Sequence, residues 1–107
     1  MAPAGAINSN VLDMTRWLRF QLAGGKVDGK PLLGPRAFAE TRTPQFLLRR
    51  SSNPNPERDG YFSAYGLGWF LEDYRGRFVV HHGGNIDGMT ALVAYMPDEQ
   101  LGVVDLA

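Results

Sequence analysis

The last third of the chain constrains its fold most: FVVHHGGNIDGMTALVAYMPDEQLGVVDL, residues 78 to 106. Three runs of largely apolar sequence that include β-branched and aromatic residues read as strands, Arg77 to His82, Met89 to Met96 and Leu101 to Leu106. Asp87-Gly88 and Pro97-Asp98-Glu99-Gln100 are turn sequences between them. Connections this short cannot carry a crossover, so successive runs must pair as antiparallel neighbours. The period of two begins upstream, at Ala64. It assigns Tyr65, Leu67, Trp69 and Leu71 to one face of a strand and Gly66, Gly68 and Phe70 to the other. Asp73-Tyr74-Arg75-Gly76 then reads as a hairpin turn. The expectation is an antiparallel β-meander of about four strands.

Two helices precede the sheet, which makes the class α+β. Asn10 is placed to cap the first, with Asp13 three residues on to answer it. Val11, Met14, Leu18 and Leu22 form an apolar stripe, widened by Trp17, and Gly24-Gly25 ends the helix. Asp28-Gly29 marks a tight turn between Lys26 and Lys30. Pro35 opens a second helix running from Gly34 to about Arg42, and Pro44 lies past its end. Residues 51 to 60, SSNPNPERDG, read as an exposed loop. The 107 residues amount to one modest domain.

Lysine plus arginine equal aspartate plus glutamate at 11 each, so no nucleic-acid or membrane partner is expected. The absence of cysteine excludes a disulfide scaffold and a thiolate nucleophile. MAPAGAINSN lacks the pattern of a signal peptide, which points either to an intracellular protein or to a start that is not the natural one. The two histidines are adjacent, without metal-ligand spacing, so neither a metal nor another cofactor is expected.

His81-His82-Gly83-Gly84 is the stretch that chemistry singles out. Alternation sends His82 with Phe78 and Val80, and His81 with Val79 to the opposite face. Glycines at a strand end let a ligand or a second backbone come close. Such an edge can receive an extended substrate or aim an N–H at a developing oxyanion, with His82 supplying a donor or a charge; the same residues also fit a structural bulge in which His82 is simply satisfied.

HGGNIDGMTALVAYMPDEQLGVV resembles the C-terminal core of the serine β-lactamase-like hydrolases, which include class C β-lactamases, penicillin-binding proteins, D-aminopeptidases and esterases. Their third motif, Lys-Thr-Gly or His-x-Gly, falls on His82-Gly83-Gly84, followed by Gly88-Met89 and the Pro97-Asp98 turn. Pro3-Ala4-Gly5-Ala6-Ile7-Asn8-Ser9 with Asp13-Met14 and Arg16-Trp17-Leu18 is similar to a second family segment, and Tyr65-Gly66-Leu67-Gly68-Trp69 to a third. The resemblance implies acyl-serine hydrolysis of ester, amide or β-lactam bonds on a small-molecule or peptide substrate. It implies that His82 contacts a substrate carboxylate or the catalytic hydrogen-bond network. Gly83 and Gly84 would line the substrate edge, and the Asn85 N–H would form half an oxyanion hole. His-Gly-Gly with Asn85 to Gly88 leans toward the esterase or D-aminopeptidase groups.

Two family motifs are missing. No serine (9, 51, 52 or 63) has Lys three residues later, and no tyrosine begins Tyr-x-Asn. Ser51-Ser52-Asn53 matches the variant Ser-x-Asn only by chance, since the family's second motif precedes this whole region. The expectation is therefore a partial domain, residues 1 to 107, the C-terminal fragment of a hydrolase. Its partner would be the missing N-terminal part, or a second copy of itself, since the apolar last strand wants covering. Two other classes stay open: a non-catalytic module binding peptides by strand addition, and a structural subunit. Relatives are often exported, which leaves the compartment undetermined.

Overall fold

The computed structural model describes residues 5–48 and 60–107. Helix α1 spans Val11–Leu22. The Asn10 side-chain oxygen accepts the Asp13 N–H at 2.9 Å, and its amide donates to the Asp13 carboxylate at 3.1 Å. At the other end Gly24 N–H donates to Gln21 C=O and Gly25 N–H to Phe20 C=O, at 3.1 and 2.9 Å. This double cap needs the left-handed backbone that Gly24 adopts at φ 72. A small hairpin follows, β1 (Lys26–Val27) and β2 (Lys30–Pro31), turned by Asp28 and Gly29 at φ 49 and 77. Helix α2 is Pro35–Thr41, with Gly34 at its N-cap.

Among the described residues the second sheet has six antiparallel strands in chain order, where about four were expected. They are β3 (Phe46–Leu47), β4 (Ser63–Tyr65), β5 (Phe70–Tyr74), β6 (Arg77–Ile86), β7 (Met89–Met96) and β8 (Leu101–Leu106). Three expectations need correcting. First, the strand expected from Ala64 is two strands. Gly68 stands at φ 81, outside the range of a strand, and Gly66 N–H donates to Trp69 C=O at 2.8 Å, which reverses the chain. Ala64 and Leu71 therefore face each other across a hairpin, while Leu67 sits in the turn, 55% exposed. Second, β6 does not end at His82. It runs through both glycines to Ile86, and the reversal waits for Gly88 at φ 80.

Third, only the second half of the α1 stripe packs. Leu18 is buried, whereas Val11 and Trp17 are 49% and 44% exposed. The helix lies across β7 and β8, and Gly102 makes the approach possible: a Cβ there would stand 3.0 Å from Leu18 Cδ1. Ala64, Trp69, Leu71, Val80 and Tyr95 complete the core, with Leu22, Phe78, Val93 and Val104 against it. Gln21 is buried too, a polar residue where the pattern suggested none, and its Oε1 accepts the Tyr95 hydroxyl at 3.3 Å. Ser51-Ser52-Asn53 and the loop around it, Gly60 excepted, lie outside the described residues, as do Pro3 and Ala4.

Tyr95 gives a pH prediction. Burial raises its pKa above the ordinary 10.0, against the opposing pull of the Arg42 guanidinium. The fold therefore favours neutral Tyr95. That stabilisation is whole below pH ~10 and is lost as pH rises through the higher folded value. The thermal unfolding midpoint should fall on the alkaline side. Tyr95→Phe should flatten that limb, while costing about 1–3 kcal/mol at neutral pH because Gln21 loses its partner. A wild-type midpoint that did not fall above pH ~10 would contradict this.

Candidate active site

Strand β5 begins at Phe70, opposite His81. From His82 to Ile86, β6 therefore has β7 on one side and, among the described residues, no strand on the other. The backbone direction along this open edge follows from one pair. Thr90 and Ala107 exchange both of their hydrogen bonds, at 2.8 and 3.0 Å, so Thr90 faces β8. Its neighbour Ala91 must face β6, and Gly84, paired with Ala91, must face β7. Gly83 and Asn85 then present their N–H and C=O groups to the open edge. His82, Gly83, Gly84 and Asn85 are thus consecutive along the edge that β5 leaves open, whereas His81 is paired with Phe70.

The glycines answer to no demand of the fold. Neither adopts a positive φ. A Cβ on Gly83 would make only ordinary contact, 3.4 Å from the Ala91 carbonyl oxygen, and one on Gly84 would project into open space. Gly66 is the contrast: its Cβ would lie 2.5 Å from the Thr41 carbonyl oxygen. Packing requires glycine at 66, whereas the space in front of Gly84 is open.

Backbone alternation separates His81 from His82, yet their rings do not part. β5 stops at Phe70, so among the described residues no strand pairs with β6 at His82 on that side, and its ring reaches round to the far side of Phe70. His82 Nε2 lies 3.1 Å from the Tyr65 hydroxyl, and Nδ1 lies 2.7 Å from the Gly83 carbonyl oxygen. Phe70 stands between the histidines, stacked on His81 and tilted against His82, with ring centroids 5.5 Å apart in both cases. Tyr65 packs edge-on against Phe70 at 4.8 Å. His81 Nε2 in turn meets the Glu72 carboxylate at 3.0 Å.

A cleft of about 400 Å³ opens beside this edge. Its floor is the backbone of His82, Gly83 and Gly84 with the facing part of β7. Its walls are Trp17 from α1 and Leu67 and Trp69 from the β4–β5 turn. The surface is apolar with one imidazole and a strip of backbone polar groups, a common composition for a small-molecule site. Sequence reasoning assigned Trp17 to packing, placed Trp69 on a strand face, and gave no site role to Tyr65, Phe70 or Glu72. A signal existed for Tyr65, Leu67 and Trp69, which share the Tyr-Gly-Leu-Gly-Trp stretch that the family resemblance had picked out. Phe70 and Glu72 carried none, because strand register alone brings them to His81.

A family model described as Beta-lactamase matches residues 1–107, the whole chain. Among solved structures, the chain is similar to the octameric penicillin-binding protein homologue from Pyrococcus abyssi, with a TM-score of 0.73 and 20% sequence identity. The match covers 92% of this chain and 20% of that one, so the chain spans about a fifth of the length of its structural neighbour. At that identity the likeness is one of fold. No curated protein matches.

Proposed function

The chain belongs to the β-lactamase family, and from that premise we propose that it is the C-terminal part of a serine hydrolase domain cleaving ester, amide or β-lactam bonds through an acyl-serine. The open edge of β6 carries this reading. An acyl group laid along it would meet the Gly83 and Asn85 backbone, with clearance at Gly84 and the His82 ring at the entrance. The Asn85 N–H would stabilise the tetrahedral oxyanion together with a second donor from the nucleophile's own backbone. The nucleophile and its base come from a part of the domain outside these 107 residues, since no Ser-x-x-Lys occurs among them. The resemblance carried by His82-Gly83-Gly84 with Asn85 to Gly88 leans toward ester or D-amino-acyl substrates.

A second reading, self-association, is supported by the sheet face turned away from α1. Register puts Leu92, Leu101 and Val103 together on that face, and they are 39%, 58% and 53% exposed. The neighbouring structure is itself of an octamer.

The chain alone should not hydrolyse a chromogenic β-lactam or a p-nitrophenyl ester above background, because losing nucleophile and base leaves only weak residual catalysis. Co-expression with the N-terminal part of the domain, bearing Ser-x-x-Lys, should restore hydrolysis. Acylation of the isolated chain by a fluorophosphonate, read by intact mass, would overturn the proposal. So would a complex of the two parts that assembles yet stays inert. A chain that binds only itself would favour self-association.

A further inference from the structure

We infer that Tyr65 positions His82: with the Gly83 carbonyl it holds the imidazole as the Nδ1–H tautomer, with both ring nitrogens committed within the chain. The catalytic consequence rests on the hydrolase reading above; the geometry does not.

The argument follows from what each partner can do. A carbonyl oxygen only accepts, so at 2.7 Å from the Gly83 oxygen Nδ1 must carry the proton. In the neutral ring Nε2 then holds a lone pair, and the Tyr65 hydroxyl, 3.1 Å away, must donate to it. His81 is held the opposite way. Its Nε2 faces the Glu72 carboxylate, another pure acceptor, so the proton sits on Nε2. Two adjacent histidines thus take opposite tautomers, each set by its own partner.

Tyr65 does not line the cleft, whereas His82 does. The hydroxyl therefore stands behind the imidazole rather than on the substrate. Its own place does not depend on the hydrogen bond. The ring is braced by Phe70, and the Tyr65 backbone carbonyl accepts the Gln45 N–H at 2.9 Å. Removing the hydroxyl is therefore a local change. The arrangement also tolerates both charge states. When His82 takes up a proton, Nε2–H donates and the hydroxyl, which can also accept, turns its own proton away. Nε2 can take a proton only as the Tyr65 hydroxyl turns, so the imidazole serves the cleft as a fixed group whose charge rather than its hydrogen bonds reaches substrate. A carboxylate is the substrate group that would feel it.

The test is made on the chain itself. Long-range ¹H–¹⁵N correlation at a pH where imidazoles are neutral should show one Nδ1–H and one Nε2–H histidine, assigned through His82→Ala. Tyr65→Phe should move His82 toward the Nε2–H form that imidazole prefers in water and leave His81 unchanged. An Nε2–H His82 in the wild type overturns the inference, and this holds even if the Phe variant fails to fold. A His82 signal indifferent to Tyr65→Phe overturns it as well. In the reassembled hydrolase, Tyr65→Phe should lower kcat/KM for a carboxylate-bearing ester roughly 10-fold, as for a misplaced binding group, and spare a neutral ester. Equal loss on both substrates, or none, would overturn the catalytic consequence. If no hydrolase can be reassembled while the tautomers are as stated, the function fails and the positioning of His82 stands.

Discussion

Gly84→Val in the complete hydrolase domain is expected to lower kcat/KM by at least ~100-fold, the scale of a displaced reacting group, and to leave the fold intact. Both halves come from the same observation. The Gly84 backbone is not in the left-handed region, and a Cβ there would meet nothing within 4 Å. Valine suits a strand, so the chain itself should accept it with a stability change within about 0.5 kcal/mol. The branched side chain would then occupy the space in front of the edge where an acyl group is proposed to lie. Urea midpoints of the isolated chain and kcat/KM of the reassembled enzyme separate the two effects. Unaltered activity would mean that substrate does not run past Gly84. Gly66→Ala is the control of opposite character. Its Cβ would stand 2.5 Å from the Thr41 carbonyl oxygen, so it should destabilise the chain whether or not catalysis is measured.

His82→Ala should separate charged from neutral substrates. With both nitrogens engaged, the ring can offer the cleft a charge when protonated but no hydrogen bond, and a unit-charge pair about 4 Å apart is worth roughly 1–4 kcal/mol between bulk water and a protein surface. The loss in kcat/KM for a carboxylate-bearing substrate is therefore expected to be roughly 10- to 100-fold, mostly through KM, with little change for a neutral ester. A loss of roughly 10²–10⁴ in kcat on both substrates would instead show proton transfer by His82. The Tyr65 hydrogen bond would then have to open during the reaction. His81→Ala should have a smaller effect than His82→Ala. It removes a ring stacked on Phe70 and the partner of Glu72, but nothing that lines the cleft.

Local sequence was sufficient wherever a single turn of chain decides the outcome. The Asn10 cap, the Gly24-Gly25 helix end and the Asp28-Gly29 and Arg75-Gly76 turns depend on dihedrals and hydrogen bonds within a few residues. Each is present, with both residues of each turn at positive φ. Strands β7 and β8 were legible for the same reason, since their alternation is bounded by clear turn signals. His82, Gly83 and Gly84 stood out as a bare backbone beside imidazoles, and Asn85 entered only through the family resemblance.

What the sequence could not show depends on where neighbouring strands stop. The hydrophobic pattern from Ala64 to Leu71 is the same whether it lies on one face of one strand or closes across a hairpin. The contact of Gly66 with Thr41, 25 positions away, is invisible in the pattern. Gln21 was unreadable as a core residue because its partner, Tyr95, lies 74 positions on. The site turns on the same kind of fact. Alternation assigned His81 and His82 to opposite faces, and for the backbone it holds. Only the tertiary structure ends β5 at Phe70, one residue short of His82. That missing neighbour opens the β6 edge and lets the His82 ring swing round to the hydroxyl of Tyr65.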